Sequence, residues 1–202
     1  MAKLWDLKGT KFREFPHKGK VETTKFSPDG KLLATVGENG TALLWNINGK
    51  PHKPLLGHKG YVNSVNFSPN EKKLATAGDD GTVRLWDYSG KQLKEFKTYQ
   101  GRVIQINFSR DGKLLSTSSA SYTTRLWNLS GQQVAEFTGH QGNIKSADFS
   151  PNGELLATAS DDNTAIVWRI RGLDELLHEG CDRLKDYLVT NPDEKKKLSV
   201  CP

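Results

Sequence analysis

Tyr61-Val62-Asn63-Ser64-Val65-Asn66-Phe67-Ser68-Pro69-Asn70-Glu71 opens the stretch that decides the fold of this 202-residue chain. Its first seven residues are β-rich, and Ser68-Pro69-Asn70-Glu71 is a turn sequence. Lys73-Leu74-Ala75-Thr76-Ala77 follows as a second strand, and Asp79-Asp80-Gly81 is a tight hairpin signal. Thr82-Val83-Arg84-Leu85-Trp86 reads as a third strand. Asp87-Tyr88-Ser89-Gly90 turns the chain again, into Gln92-Leu93-Lys94-Glu95-Phe96. Four short strands therefore fill about 40 residues, each joined to the next by turn chemistry.

Moving outward, the same pattern recurs. Tryptophans stand at Trp5, Trp45, Trp86, Trp127 and Trp168, at intervals of 40, 41, 41 and 41. Asp6, Asn46, Asp87 and Asn128 follow the first four, and Arg169 follows the fifth. Phe26-Ser27-Pro28-Asp29-Gly30 returns as Phe67-Ser68-Pro69-Asn70, Phe108-Ser109-Arg110-Asp111-Gly112 and Phe149-Ser150-Pro151-Asn152-Gly153. His17, His58, Tyr99 and His140 form a third series, and Thr35, Thr76, Thr117 and Thr158 a fourth. Series that keep one beat in register signal a repeat architecture.

The spacing, the Gly57-His58 and Gly139-His140 pairs and Trp86-Asp87 resemble WD40 repeats, over roughly residues 2–170. The resemblance implies an all-β fold: an arc of about four four-stranded propeller blades. It also implies that His, Ser or Thr, Asp and Trp of one blade form a hydrogen-bonded chain. By position, the second repeat supplies His58, Thr76, Asp80 and Trp86, and the fourth His140, Thr158, Asp162 and Trp168. The first supplies His17, Thr35 and Trp45, with Asn39 where Asp is expected; Asn can still accept a bond without the charge, so this network is expected to be softened but present. The third keeps Thr117 and Trp127 but has Tyr99 for His and Ser121 for Asp, so its network is expected to be lost. Such a network satisfies buried polar groups that would otherwise destabilise the fold. His58, Asp80 and Thr76 also have the residue types of a catalytic triad. A set that repeats around a ring is frame rather than a single catalytic pocket.

Three other series do not repeat. They are Lys20, Tyr61, Arg102 and Asn143; Glu22, Asn63, Ile104 and Lys145; and Glu38, Asp79, Ala120 and Asp161. The resemblance places them on the top face near the central channel. A constant frame with a variable rim suits recognition of protein partners, and Tyr61 and Arg102 are residue types enriched at interface hot spots. The expectation is a non-catalytic interaction scaffold without a cofactor or metal. No phosphate loop, G-x-S-x-G or H-E-x-x-H motif is present. Nucleic-acid binding ranks below this. The net charge is +6, with −1 in residues 171–202 and hence +7 before them, but the basic residues are spread without interleaved aromatics.

The expected organisation is a partial blade at 1–15, repeats at about 16–56, 57–97, 98–138 and 139–170, and a tail at 171–202. The resemblance implies seven blades in a typical ring. Three arrangements fit: a fragment of a longer propeller, two copies pairing into one ring, or the strand near residues 12–15 closing a small four-bladed ring. The last leaves Leu4-Trp5 without a place, so an incomplete arc is favoured, with a homodimer completing the ring kept beside it.

In the tail, Leu173, Leu176, Leu177, Cys181, Leu184, Tyr187 and Leu188 recur at helical spacing up to Pro192. They predict a short C-terminal amphipathic α-helix. This tail resembles the one that follows WD repeats in cyanobacterial signalling proteins, where the propeller is a C-terminal sensor module; the alternative this implies is a fragment or sensor module of a larger multidomain signalling protein of ATPase or protease type. His178 and Cys181 stand one helical turn apart, but two ligands do not make a structural zinc site. Two Cys, no secretory pattern and no long apolar run point to a reducing, cytoplasmic compartment and no membrane span.

Overall fold

The computed structural model describes residues 1–170, the side chain of Asn39 excepted. The helix and tail expected at 171–202 lie outside the described residues. The chain divides into two compact units, Met1–Trp168 and Arg169–Pro202.

Among the described residues seventeen strands build five antiparallel sheets in chain order. Strands β1 (Ala2–Trp5) and β2 (Lys11–Phe15) form a pair. β3 (Val21–Phe26), β4 (Leu32–Gly37), β5 (Ala42–Asn46) and β6 (Pro51–Leu55) form the first complete blade. β7 (Val62–Phe67), β8 (Lys73–Gly78), β9 (Thr82–Asp87) and β10 (Gln92–Lys97) form the second. β11 (Val103–Phe108), β12 (Leu114–Ser119), β13 (Thr123–Asn128) and β14 (Gln133–Thr138) form the third. A three-stranded fourth blade follows in β15 (Ile144–Phe149), β16 (Leu155–Ser160) and β17 (Ala165–Arg169). The expected arc of about four blades is present: three sheets of four strands, flanked by one of two and one of three.

Each blade packs on the next: β3 neighbours β7, β7 neighbours β11, and β11 neighbours β15. Among the described residues the two end sheets share no strand pairing, and the arc is not closed. The core lies between blades. Leu32, Ala34, Val36, Ala42 and Leu44 of the first blade meet Val62, Val65, Phe67, Leu74 and Trp86 of the second. One repeat on, Ala75, Ala77, Val83 and Leu85 meet Val103, Ile106, Phe108, Leu115 and Trp127. Alternation along each strand gives every blade two apolar faces, so each blade is the lid of its neighbour. The ends show the consequence. Phe67 and Phe108 are 6% and 8% exposed, whereas Phe26, in the same place on the first blade, is 49% exposed. Leu44 is 1% exposed and Leu85 3%, but Val167, their counterpart on the fourth blade, is 64%.

Two local devices hold the blades in register. The residue after Trp5, Trp86 and Trp127 is a turn former: Asp87 Oδ1 accepts from the Ser89 N–H, the Ser89 hydroxyl and the Lys91 N–H at 2.6–2.9 Å. Asn128 and Asp6 repeat the arrangement, which is why short polar side chains stand there. The first strand of every blade carries a bulge. The pairing skips one residue between Val21 and Thr23, Val62 and Ser64, Val103 and Gln105, and Ile144 and Ser146.

A side-chain relay beneath a candidate protein-binding rim

In all four blades the Trp indole N–H donates to the Thr hydroxyl on the neighbouring strand. The distances are 2.9 Å for Trp45–Thr35, 2.9 Å for Trp86–Thr76, 2.8 Å for Trp127–Thr117 and 2.9 Å for Trp168–Thr158. What receives the Thr hydroxyl proton is not the same in every blade.

In the second blade, Thr76 Oγ1 lies 2.8 Å from His58 Nε2, and His58 Nδ1 lies 3.0 Å from Asp80 Oδ2. The protons follow from the chemistry. A carboxylate only accepts, so Nδ1–H donates to Asp80. The indole only donates, so the Thr76 O–H must donate to Nε2. His58 is therefore neutral. Burial holds its pKa below the usual value, against the pull of Asp80. Burial alone would raise Asp80, but the Lys59 N–H, His58 and the Thr82 hydroxyl outweigh it and keep the carboxylate ionised. The same arrangement recurs in the fourth blade. His140 Nε2 is 2.8 Å from Thr158 Oγ1, and Nδ1 is 2.8 Å from Asp162 Oδ2. The bond from the Thr164 hydroxyl, with the Gln141 N–H and His140, holds Asp162 well below the carboxylate range. These relays tie the loop before a blade to the turn between its second and third strands.

The third blade corrects the sequence reading that its network is lost. Gln100, one residue beyond Tyr99 and 5% exposed, takes the place of the imidazole. The Thr117 hydroxyl donates to Gln100 Oε1 at 2.9 Å, and Gln100 Nε2 donates to the Thr123 hydroxyl at 2.7 Å and its carbonyl at 3.2 Å. Ser121, in place of Asp, bonds Ser119 at 2.7 Å and Thr123 at 3.1 Å. An amide both accepts and donates, so it can stand in a relay where a neutral imidazole does. The shift by one residue hid it from a reading in steps of 41. The available signal was a Gln beside the missing His.

The first blade needs the opposite correction. His17 does not reach Thr35; its Nδ1 lies 3.0 Å from the carbonyl of Lys18, and its Nε2 is enclosed without a partner. Position 39 brings no carboxylate to hold the ring, and the side chain of Asn39 lies outside the described residues. A depression of about 390 Å³ adjoins His17, lined by Pro16, Lys18, Thr41 and Leu43. The second and third blades put Arg84 and Arg125 where Leu43 stands, and Arg125 bonds the Thr98 carbonyl there at 2.6 Å.

The rim residues lie where the bulges put them. Glu22, Asn63, Ile104 and Lys145 are the residues the strand pairing skips, and a bulged residue is re-aimed away from the ladder. Glu38 Oε1 of the first blade accepts from the Tyr61 hydroxyl of the second at 3.2 Å, which raises the pKa of that hydroxyl. Asp79 of the second blade meets Arg102 Nε of the third at 3.0 Å and Asn63 Nδ2 at 2.7 Å. Asn63 also donates to the Val103 carbonyl at 2.8 Å. Polar bonds thus cross the first two seams. At the third seam Ala120 replaces the acid and has nothing to offer Asn143. Asp161 instead serves its own blade, bound to Lys145 at 2.9 Å and Asn143 at 3.3 Å, and the Lys145 bond lowers its pKa. Lys20 pairs with Glu22 at 2.7 Å, and its N–H donates to Glu38. Ile104 is half-buried. Among the described residues no group of three or more His, Cys, Asp or Glu is placed to hold a metal ion.

Comparison with known proteins follows this architecture. The model of the IFT122 first β-propeller matches residues 1–169. A 54-residue stretch is 37% identical to MST50-interacting protein 11 of Pyricularia oryzae. Stretches of the same length are 35% identical to small ribosomal subunit protein RACK1 of Neurospora crassa and to cross-pathway control WD-repeat protein 2 of Flammulina velutipes. Each match covers 26% of this chain and 17% of the relative. With a family model matched over nearly the whole described chain and a repeated Trp–Thr frame inside every blade, the chain belongs to the family of the IFT122 first β-propeller, a WD-repeat β-propeller.

Proposed function

We propose that this chain is a non-catalytic scaffold that engages protein partners through the variable rim formed by Lys20, Glu22, Glu38, Tyr61, Asn63, Asp79, Arg102, Ile104, Asn143, Lys145 and Asp161. One observation carries the reading. The Trp–Thr bond is the same in four blades, while the side chains above it change from blade to blade. Rigid elements presenting varied side chains are the usual basis of recognition. One relative is named for its interaction with MST50, a role of the kind proposed here. The test is capture of partners by wild type and by the Tyr61→Ala and Arg102→Ala variants. Loss of the same partner in both, with melting unchanged, is the expected result; identical capture overturns the rim assignment.

A second reading concerns a second copy of the chain. Val167 and Leu155 on one end face and Phe26 on the other occupy positions that are covered between neighbouring blades elsewhere in the arc. Two copies meeting end to end would cover them in the same way. Mass measurement by light scattering tests this: a dimer that Val167→Lys dissociates supports it, and a monomer at high concentration refutes it.

A further inference from the structure

The third blade departs from its siblings at the end where the rim lies, and its departures share a direction. Tyr122 has φ 62° and Tyr99 φ 55°. Gly40, Gly81 and Asn163 occupy the position of Tyr122 in the other blades, at φ 67°, 68° and 66°. Glycine adopts this left-handed conformation freely and asparagine tolerates it, but a bulky side chain is strained there. Little packing offsets the strain: Tyr99 is 84% exposed and Tyr122 48%. Nor is either ring needed for the relay, which Gln100 supplies. Their backbones are joined through one residue each, since Gln100, next to Tyr99, bonds Thr123, next to Tyr122. Strain retained for so little structural return points to use.

The charges around them differ in the same place. The other blades carry Glu38, Asp79 with Asp80, and Asp161 with Asp162 in this turn. The third carries Ala120 and Ser121. Arg102 lies in the adjoining loop with its side chain 58% exposed. Its Nε is on Asp79 and its NH2 end on Asn63 Oδ1 at 3.4 Å, which leaves its NH1 end for an incoming group.

We propose that Tyr99, Tyr122 and Arg102 form a docking edge on the third blade for an acidic, extended peptide segment of a partner protein. The two rings take its apolar or aromatic side chains, and Arg102 takes a carboxylate. Tyrosine and arginine are the residue types that dominate binding energy at interfaces, and a turn without carboxylates on a chain of net charge +6 favours an acidic partner. The proposal rests on, and narrows, the reading of the rim as a protein-binding surface.

The experiment is panning of a displayed library of random 12-residue peptides on the full chain, followed by titration of the enriched peptides as synthetic probes. Enriched peptides are expected to be acidic and to contain an aromatic or leucine residue. Their affinity is expected to fall about tenfold or more with Tyr99→Ala, Tyr122→Gly and Arg102→Ala, and to weaken with salt. Tyr122→Gly removes the backbone strain, so it leaves the melting temperature unchanged or raises it while binding falls. A purely structural tyrosine would lower both together. Enriched peptides without acidic bias, no enrichment at all, or affinity unmoved by the tyrosine variants overturns the proposal. Peptides that are lost with Tyr61→Ala but not with the tyrosine pair sink the third-blade edge and leave the rim reading standing.

Discussion

Gln100→Ala is the most searching perturbation of this fold. Gln100 is 5% exposed and Thr117 is fully buried. The substitution removes the bond at 2.9 Å to Thr117 and those at 2.7 and 3.2 Å to Thr123. The Thr117 hydroxyl hydrogen is then stranded, because Thr117 Oγ1 still accepts from Trp127 and the hydrogen has no other acceptor. One buried unsatisfied group costs about 1–3 kcal/mol, and the lost side-chain packing adds to it. The expected total is about 3 kcal/mol, which for a chain of this size lowers Tm by about 6–12 °C. Gln100→Met, which keeps the volume and drops the polar atoms, should cost most of the same amount. Tyr99→Ala, at the position that aligns with His58, should change stability by less than about 0.5 kcal/mol, because the ring is in solvent. Calorimetry gives the totals, and hydrogen exchange locates the loss in β11–β13. A Gln100→Ala variant within about 0.5 kcal/mol of wild type, or a costlier Tyr99→Ala, refutes a relay through Gln100.

Other outcomes follow from the same geometry. His58→Ala strands the Thr76 hydroxyl and part of the Asp80 carboxylate and should cost about 2–4 kcal/mol, whereas His17→Ala, which breaks no bond to Thr35, should cost less than about 1 kcal/mol in chemical denaturation. Phe67→Ala should destabilise by about 3–5 kcal/mol and Phe26→Ala by less than about 1 kcal/mol, the contrast being set by burial at one repeated position. Acid should weaken the fold in two stages. The unfolded chain protonates its His58 near pH 6.5 while the buried ring resists, so stability falls as pH drops below that value. Asp80, lowered in the fold, adds a second loss as pH falls below about 3.8 towards its folded value. His58→Gln should flatten the first stage in melts between pH 7.5 and 5; an unchanged slope would show that other groups set it.

Much of this architecture was written in one dimension. Series in register at a spacing of 41 specify identical local structure, because strand alternation and turn chemistry depend only on near neighbours. The Trp series, the Phe-Ser turns and the Asp or Asn after the first four Trp were therefore readable, and so was the absence of the His–Asp pair in the third blade. Whether that blade lacked a relay was a question of where side chains meet in space. Gln100 sits one step off the beat, and only the folded loop brings its amide between Thr117 and Thr123. His17 kept the beat, yet its ring turned to a neighbouring carbonyl, since the letter at one position does not fix the partner across a blade. The bulge that re-aims Glu22, Asn63, Ile104 and Lys145 has no residue signature of its own and shows only in the strand pairing. The sequence by itself determined the repeat and its frame, because these are local. The tertiary structure decided which polar groups close each blade and which faces stay open, because burial depends on the neighbouring blade.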